Sequence, residues 1–117
     1  MKALQNLFKL AQNVKVFVPS TTAVNKDGNE LQGVYTRKFM ELLSAEFGGA
    51  TSYKALGAWL STAEGLVTEN VTIVEAFATD AAFEAGLTKV IRLAAKMKKS
   101  MSQEAIAIQV NGELFLL

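Results

Sequence analysis

Between Val14 and Val110 the spacing of apolar residues switches from a period of two to a period near 3.6, and the chain goes through that switch twice. Val14-Lys15-Val16-Phe17-Val18 alternates and is β-branched, so it reads as a strand, ended by Pro19, which withholds a ladder donor. Tyr35, Phe39, Leu42, Leu43 and Phe47 then fall on one face of a helix over 34–47. Gly48-Gly49 closes it, because glycine accepts the left-handed conformation that ends helices. A second strand follows over 50–60, with a kink or bulge expected near Gly57. Glu64-Gly65 marks a hairpin connection within 61–70, and 71–78 is a third strand.

Thr79-Asp80 supplies N-cap oxygens for a second helix over 81–99, in which Phe83, Leu87, Val90, Ile91, Ala94, Met97 and Met101 recur at helical spacing. A fourth strand is expected over 104–110. Asn111-Gly112 is a hairpin turn, since both central positions need positive φ, and 113–117 returns as a fifth strand. Strand–helix–strand–strand–helix–strand is the ferredoxin-like order. The expected fold class is therefore α+β: a ferredoxin-like βαββαβ unit with an added N-terminal helix and a C-terminal β-hairpin, both long helices lying on one sheet face. The other face must be solvated, covered by the N-terminal helix, or buried in an oligomer.

At 117 residues the chain suits one domain, 1–117, with a modest core. Within it, Leu4, Leu7, Phe8 and Ala11 give residues 1–13 the pattern of an amphipathic helix of about three turns, one that docks on the domain or is exchanged with a second chain. The stretch from Pro19 to Gly33 is polar and carries the Asp27-Gly28 turn signal, which reads as a long functional loop.

Composition removes several kinds of chemistry. There are no cysteines and no histidines. Thiolate nucleophiles, zinc–sulfur sites, and serine or cysteine triads built on histidine are absent from the chain. A net charge of +1 gives no global pull toward nucleic acid, and no P-loop pattern occurs. No apolar run approaches a membrane span, and the start lacks a signal-peptide pattern, so a cytoplasmic location without a membrane partner is expected.

Four groupings could contact a ligand. Ser20, Thr21 and Thr22 offer hydroxyls beside turn-forming residues. Gly48 and Gly49 allow close backbone approach, with Thr51, Tyr53 and Trp59 on the strand beyond. Glu75 shares a strand face with Val71, Ile73 and Phe77, where a carboxylate needs a partner. It could hold a ligand amine or ribose hydroxyls, or pair with Lys15; Glu69 lies near the start of the same strand. Lys89, Arg92, Lys96 and Lys99 form a basic stripe on the second helix, opposite its apolar face.

The runs Val18-Pro19-Ser20-Thr21, Phe47-Gly48-Gly49-Ala50-Thr51, Gly57 with Trp59, Gly65 with Glu69, and the closing segment from Gln103 to Gly112 resemble the pattern of a family of short uncharacterised proteins of bacteria, plasmids and phages. The resemblance spans nearly the whole chain. It implies the α+β fold and a bacterial or mobile-element origin, and assigns no catalytic residue. For a phage source it suggests an anti-defence role.

The functional expectation is a non-enzymatic small-molecule or nucleotide-binding module, homo-oligomeric, of the kind that sequesters a nucleotide signal. Its expected ligand contacts are the first two groupings with Arg37 and Glu75, and no cofactor or metal is called for. One alternative is a protein-binding factor that inhibits a host complex. Another is a small ferredoxin-like enzyme in which Glu75, with Tyr53 or Arg37, replaces histidine and cysteine chemistry.

Overall fold

Strand pairing fixes the architecture. The computed structural model describes residues 2–23 and 26–117. Its elements are β1 (Gln12–Pro19), β2 (Thr21–Ala23), β3 (Lys26–Asp27), α1 (Asn29–Phe47), β4 (Thr51–Ser61), β5 (Gly65–Ala78), α2 (Asp80–Ser100), β6 (Ala107–Val110) and β7 (Glu113–Leu116). The main sheet has the order β4-β5-β1-β6-β7 and is antiparallel throughout. Its first four strands have the ferredoxin-like arrangement, and β7 extends the sheet through the Asn111-Gly112 turn, where φ is 51° and 85°.

Alternation along the strands decides what each face carries. Val14, Val16 and Val18 of β1 and Val74, Ala76 and Ala78 of β5 are buried on one face. Tyr35, Phe39, Leu43 and Phe47 of α1 cover them, together with Val90, Ala94 and Met97 of α2. Each set follows the three- and four-residue spacing that puts side chains on one helix stripe. The opposite sheet face carries Asn13, Lys15, Glu69 and Glu75 among Phe17, Val71 and Ile73. Gly48, at φ 96°, caps α1 and bonds its N–H to the Ser44 carbonyl at 2.9 Å. Thr79 caps α2 by accepting from the Ala82 N–H at 3.2 Å.

Several boundaries differ from expectation. The N-terminal segment forms a single 3₁₀ turn, Lys2–Leu4, instead of a helix of three turns. Leu4, Leu7 and Phe8 all stay exposed, so no burial offsets the cost of nucleating a short helix. The polar stretch after Pro19 contains β2 and β3, and α1 starts at Asn29, five residues early, where Asp27 Oδ1 accepts the Asn29 N–H at 2.9 Å. Val24 and Asn25 of that stretch, and Met1 of the N-terminal segment, lie outside the described residues. The register from Thr51 to Ser61 runs unbroken past Gly57, so no bulge forms there. A Cβ at Gly57 would meet the Glu69 carbonyl at 3.7 Å, an ordinary contact. The strand after the hairpin starts at Gly65 rather than Val71, and β6 starts at Ala107 rather than Glu104.

Candidate functional site

Register places Lys15 of β1, Glu75 of β5 and Thr51 of β4 side by side in one row across the sheet. The row faces away from the helices. Glu75 is half-buried there, with 19% of its side chain exposed. Burial of a carboxylate requires partners, and both oxygens have them. Asn13 donates through Nδ2 to Oε2 at 2.8 Å, and the Tyr53 hydroxyl donates to Oε1 at 3.2 Å. Lys15 Nζ stands 4.0 Å from Oε2, the pairing that the strand pattern anticipated.

Beside this cluster lies a cavity of about 450 Å³, within the range of small-molecule sites. Its walls are Phe47-Gly48-Gly49-Ala50-Thr51, where α1 turns into β4, and Glu75-Ala76-Phe77 of β5, with Leu10 at the rim. Phe47 is held by Phe83, ring centroids 6.1 Å apart, and by close contact with Gly86. Phe77 is half exposed and offers an apolar ring. Asn13 is fixed in turn: its backbone N–H donates to Asn111 Oδ1 at 2.7 Å, and the Asn111 N–H donates to the Asn13 carbonyl at 3.0 Å. One wall can therefore receive hydroxyl or ammonium donors at a carboxylate, while aromatic rings flank the space for a flat group.

Of the residues singled out in the sequence, Gly48, Gly49, Thr51, Tyr53 and Glu75 come together here. Five others lie elsewhere. Trp59 pairs with Val67, eight residues along β5 from Glu75 and about 26 Å away at strand rise. Ser20, Thr21 and Thr22 follow β1 at the far end of the same face. There the Thr21 hydroxyl bonds Glu69 Oε2, and Gln103 Nε2 donates to the Thr21 carbonyl at 2.6 Å. Arg37 projects from the outer side of α1 and pairs with Glu41 at 3.0 Å, away from the cavity. Asn13, Leu10 and Phe77 complete the site without having been singled out. The signal for Asn13 was its two-residue offset from Lys15, hidden by the assignment of residues 1–13 to a helix. Among the described residues no cluster of three acidic side chains could hold a metal ion, and no helix is long and apolar enough to cross a membrane.

No protein-family profile matches the chain, and no curated protein matches it. Among solved structures it is similar to a phage SAM lyase in complex with S-methyl-5′-thioadenosine, with a TM-score of 0.65, 15% identity, and 97% of this chain and 94% of that one covered. The same description, phage SAM lyase, applies to an apo-state match with TM-score 0.66 and 17% identity, covering 97% and 93%. A Bacillus cereus protein related to NIF3 matches at TM-score 0.50 and 15% identity, over 91% of this chain and 25% of that one. At these identities the likeness establishes the fold.

The likeness also corrects the expectation of a non-enzymatic module that sequesters a nucleotide signal. The solved structures that match this chain along nearly its whole length and theirs are of an enzyme, a phage SAM lyase. That expectation rests in part on a step from missing histidine and cysteine to missing catalysis. That step fails for any reaction in which no side chain has to carry a proton or act as nucleophile.

Proposed function

We propose that this chain is an enzyme, a lyase acting on S-adenosylmethionine or a closely related nucleoside sulfonium. The observation that carries the proposal is a carboxylate–phenol pair, Glu75 and Tyr53, at a nucleoside-sized cavity in a fold matched end to end by a phage SAM lyase that holds S-methyl-5′-thioadenosine.

The chemistry suits a chain without histidine or cysteine. The substrate's own carboxylate oxygen attacks the methionyl γ-carbon. The new O–C bond forms as the C–S bond breaks, and its electron pair passes to sulfur. The products are neutral methylthioadenosine and a five-membered amino-lactone. No proton moves and no water enters, so the protein's task is to hold the substrate folded for attack and to keep water out.

Charge assigns Glu75 its part. The sulfonium charge disappears in the transition state, and a carboxylate set against it would favour the ground state and slow the reaction. Glu75 instead receives donors whose state does not change, the ribose hydroxyls or the substrate ammonium. Tyr53 and Asn13 orient its two oxygens. Phe47 and Phe77 flank the base. S-adenosylmethionine is an intracellular metabolite, which carries with it a cytoplasmic location. The protein also works as a homo-oligomer in this reading, supported by the apolar side chains that one chain leaves exposed on β4, β5 and β7.

The direct test is incubation of purified protein with S-adenosylmethionine and detection of methylthioadenosine and the lactone by mass spectrometry. Glu75→Gln is expected to lower kcat/KM by about 10–100-fold, the worth of a charged hydrogen bond, with folding unchanged. Failure of the wild-type protein to release methylthioadenosine under conditions where it binds the substrate would sink the proposal.

A further inference from the structure

We propose that the outer groove between α1 and α2 is a docking surface for an acidic amphipathic helix of a partner protein. This is independent of the proposed lyase activity. The groove lies on the opposite side of the helix layer from the sheet and has a volume of about 540 Å³. Lys38 of α1 and Lys89, Arg92 and Lys96 of α2 stand on its lips, and Leu42 and Leu93 form an apolar floor.

The convergence of charge is the unusual feature. Four cations and one carboxylate, Glu41, line the groove in a chain whose net charge is only +1. Glu41 already pairs with Arg37, and Lys89 pairs with Glu46 at 3.1 Å. Lys38, which sits 5.2 Å from the Tyr35 ring, forms no ion pair among the described residues, nor do Arg92 and Lys96. A basic stripe on α2 alone would be an ordinary solvated face. Packing the helices antiparallel adds Lys38 from the other side; of the acids that α1 brings with it, Glu46 answers Lys89 and Glu41 is held by Arg37, which leaves Lys38, Arg92 and Lys96 facing one another without an ion-pair partner among the described residues. The helix dipole accounts for cations only in the last turn, and Lys38 and Arg92 lie in mid-helix.

The chemistry of the groove selects its occupant. Cations on the lips match carboxylates, and a leucine floor matches apolar side chains of the same ligand. Lys89, Arg92 and Lys96 extend over about 10 Å of α2, two turns, so acidic residues at helical spacing can meet them in register. A nucleic-acid backbone would use the cations and leave the leucines uncovered.

The test uses fluorescence anisotropy with the full chain and three labelled probes. One is an amphipathic peptide of about 18 residues with leucines along one face and glutamates beside them. The second has lysines in place of the glutamates, and the third is a single-stranded RNA of similar length. The acidic peptide is expected to bind, with affinity falling as salt is raised. Arg92→Glu with Lys96→Glu is expected to weaken it at least about tenfold while circular dichroism and methylthioadenosine release are unchanged. Should the paired variant misfold, neutral Arg92→Gln with Lys96→Gln serves, with a smaller loss. No binding of the acidic peptide, equal binding of the lysine peptide, tighter binding of the RNA, or indifference to both paired variants would each overturn the proposal.

Discussion

Gly86 and Gly33 are both helical glycines, and the structure gives them opposite roles. A Cβ at Gly86 would lie 2.8 Å from Phe47 Cε1 and 3.1 Å from Glu46 Cβ. Phe47 is buried and its ring leans against Phe83, tilted by 32°, so it has little room to retreat. Overpacking of that kind costs about 1–3 kcal/mol, more than the roughly 1 kcal/mol that alanine returns in helix propensity. At Gly33 nothing lies within 4 Å of the added carbon. Gly86→Ala is therefore expected to lower the melting temperature by several degrees, and Gly33→Ala to raise it, as read by thermal denaturation. If both variants were stabilised, the close packing assigned to Phe47 would be wrong. The same Phe47 lines the cavity, so Gly86→Ala should also weaken substrate binding while Gly33→Ala leaves it alone. At this scale the sequence was legible in part. Lys15 and Glu75 could be paired because each sits on the outward parity of its strand. Tyr53 could be named but not placed, since its approach to Glu75 depends on a β4–β5 register that only a closed hairpin defines.

Elements show where pattern reading succeeds. Both long helices, their glycine and threonine ends, and the Asn111-Gly112 turn follow from local chemistry and need no tertiary knowledge. The β4–β5 hairpin was less legible. Glu64-Gly65 marks a connection within 61–70, yet Gly65 at φ 74° closes a tight turn and β5 begins there, so most of 61–70 is strand. Polar residues are admissible in a strand whose outer part packs against no helix. The N-terminal helix failed for the converse reason: its periodicity was present, but the surface to bury it was not. The cap of α2 offers a clean test. Thr79→Ala removes the oxygen that accepts from Ala82 and is expected to cost about 1 kcal/mol, whereas Thr79→Ser should cost much less. Urea unfolding should register the first as a lower midpoint at unchanged slope. Equal midpoints for the two variants would mean that the hydroxyl does not cap the helix.

For the whole molecule, shape and exposure point the same way. The chain measures 53 × 27 × 20 Å, elongated because β4 and β5 run past the helix layer. On this arm Leu60 is 81% exposed, Leu56 68% and Leu66 65%, with Trp59 beside them. At the other sheet edge, β7 presents Leu114, Phe115 and Leu116 and carries neither lysine nor proline to discourage strand pairing. Apolar surface on this scale is seldom left to water. A second copy is the economical cover, since a symmetric contact would bury the arm on both chains at once. Native mass spectrometry at micromolar protein is therefore expected to show a homo-oligomer. Leu60→Glu with Leu66→Glu, both far from Glu75 along the hairpin, should lower the stoichiometry while the circular dichroism spectrum stays unchanged. A wild-type chain that stays monomeric across that range would rule out the shared arm. A variant that stays fully assembled would move the interface to β7, where Phe115→Glu becomes the decisive substitution.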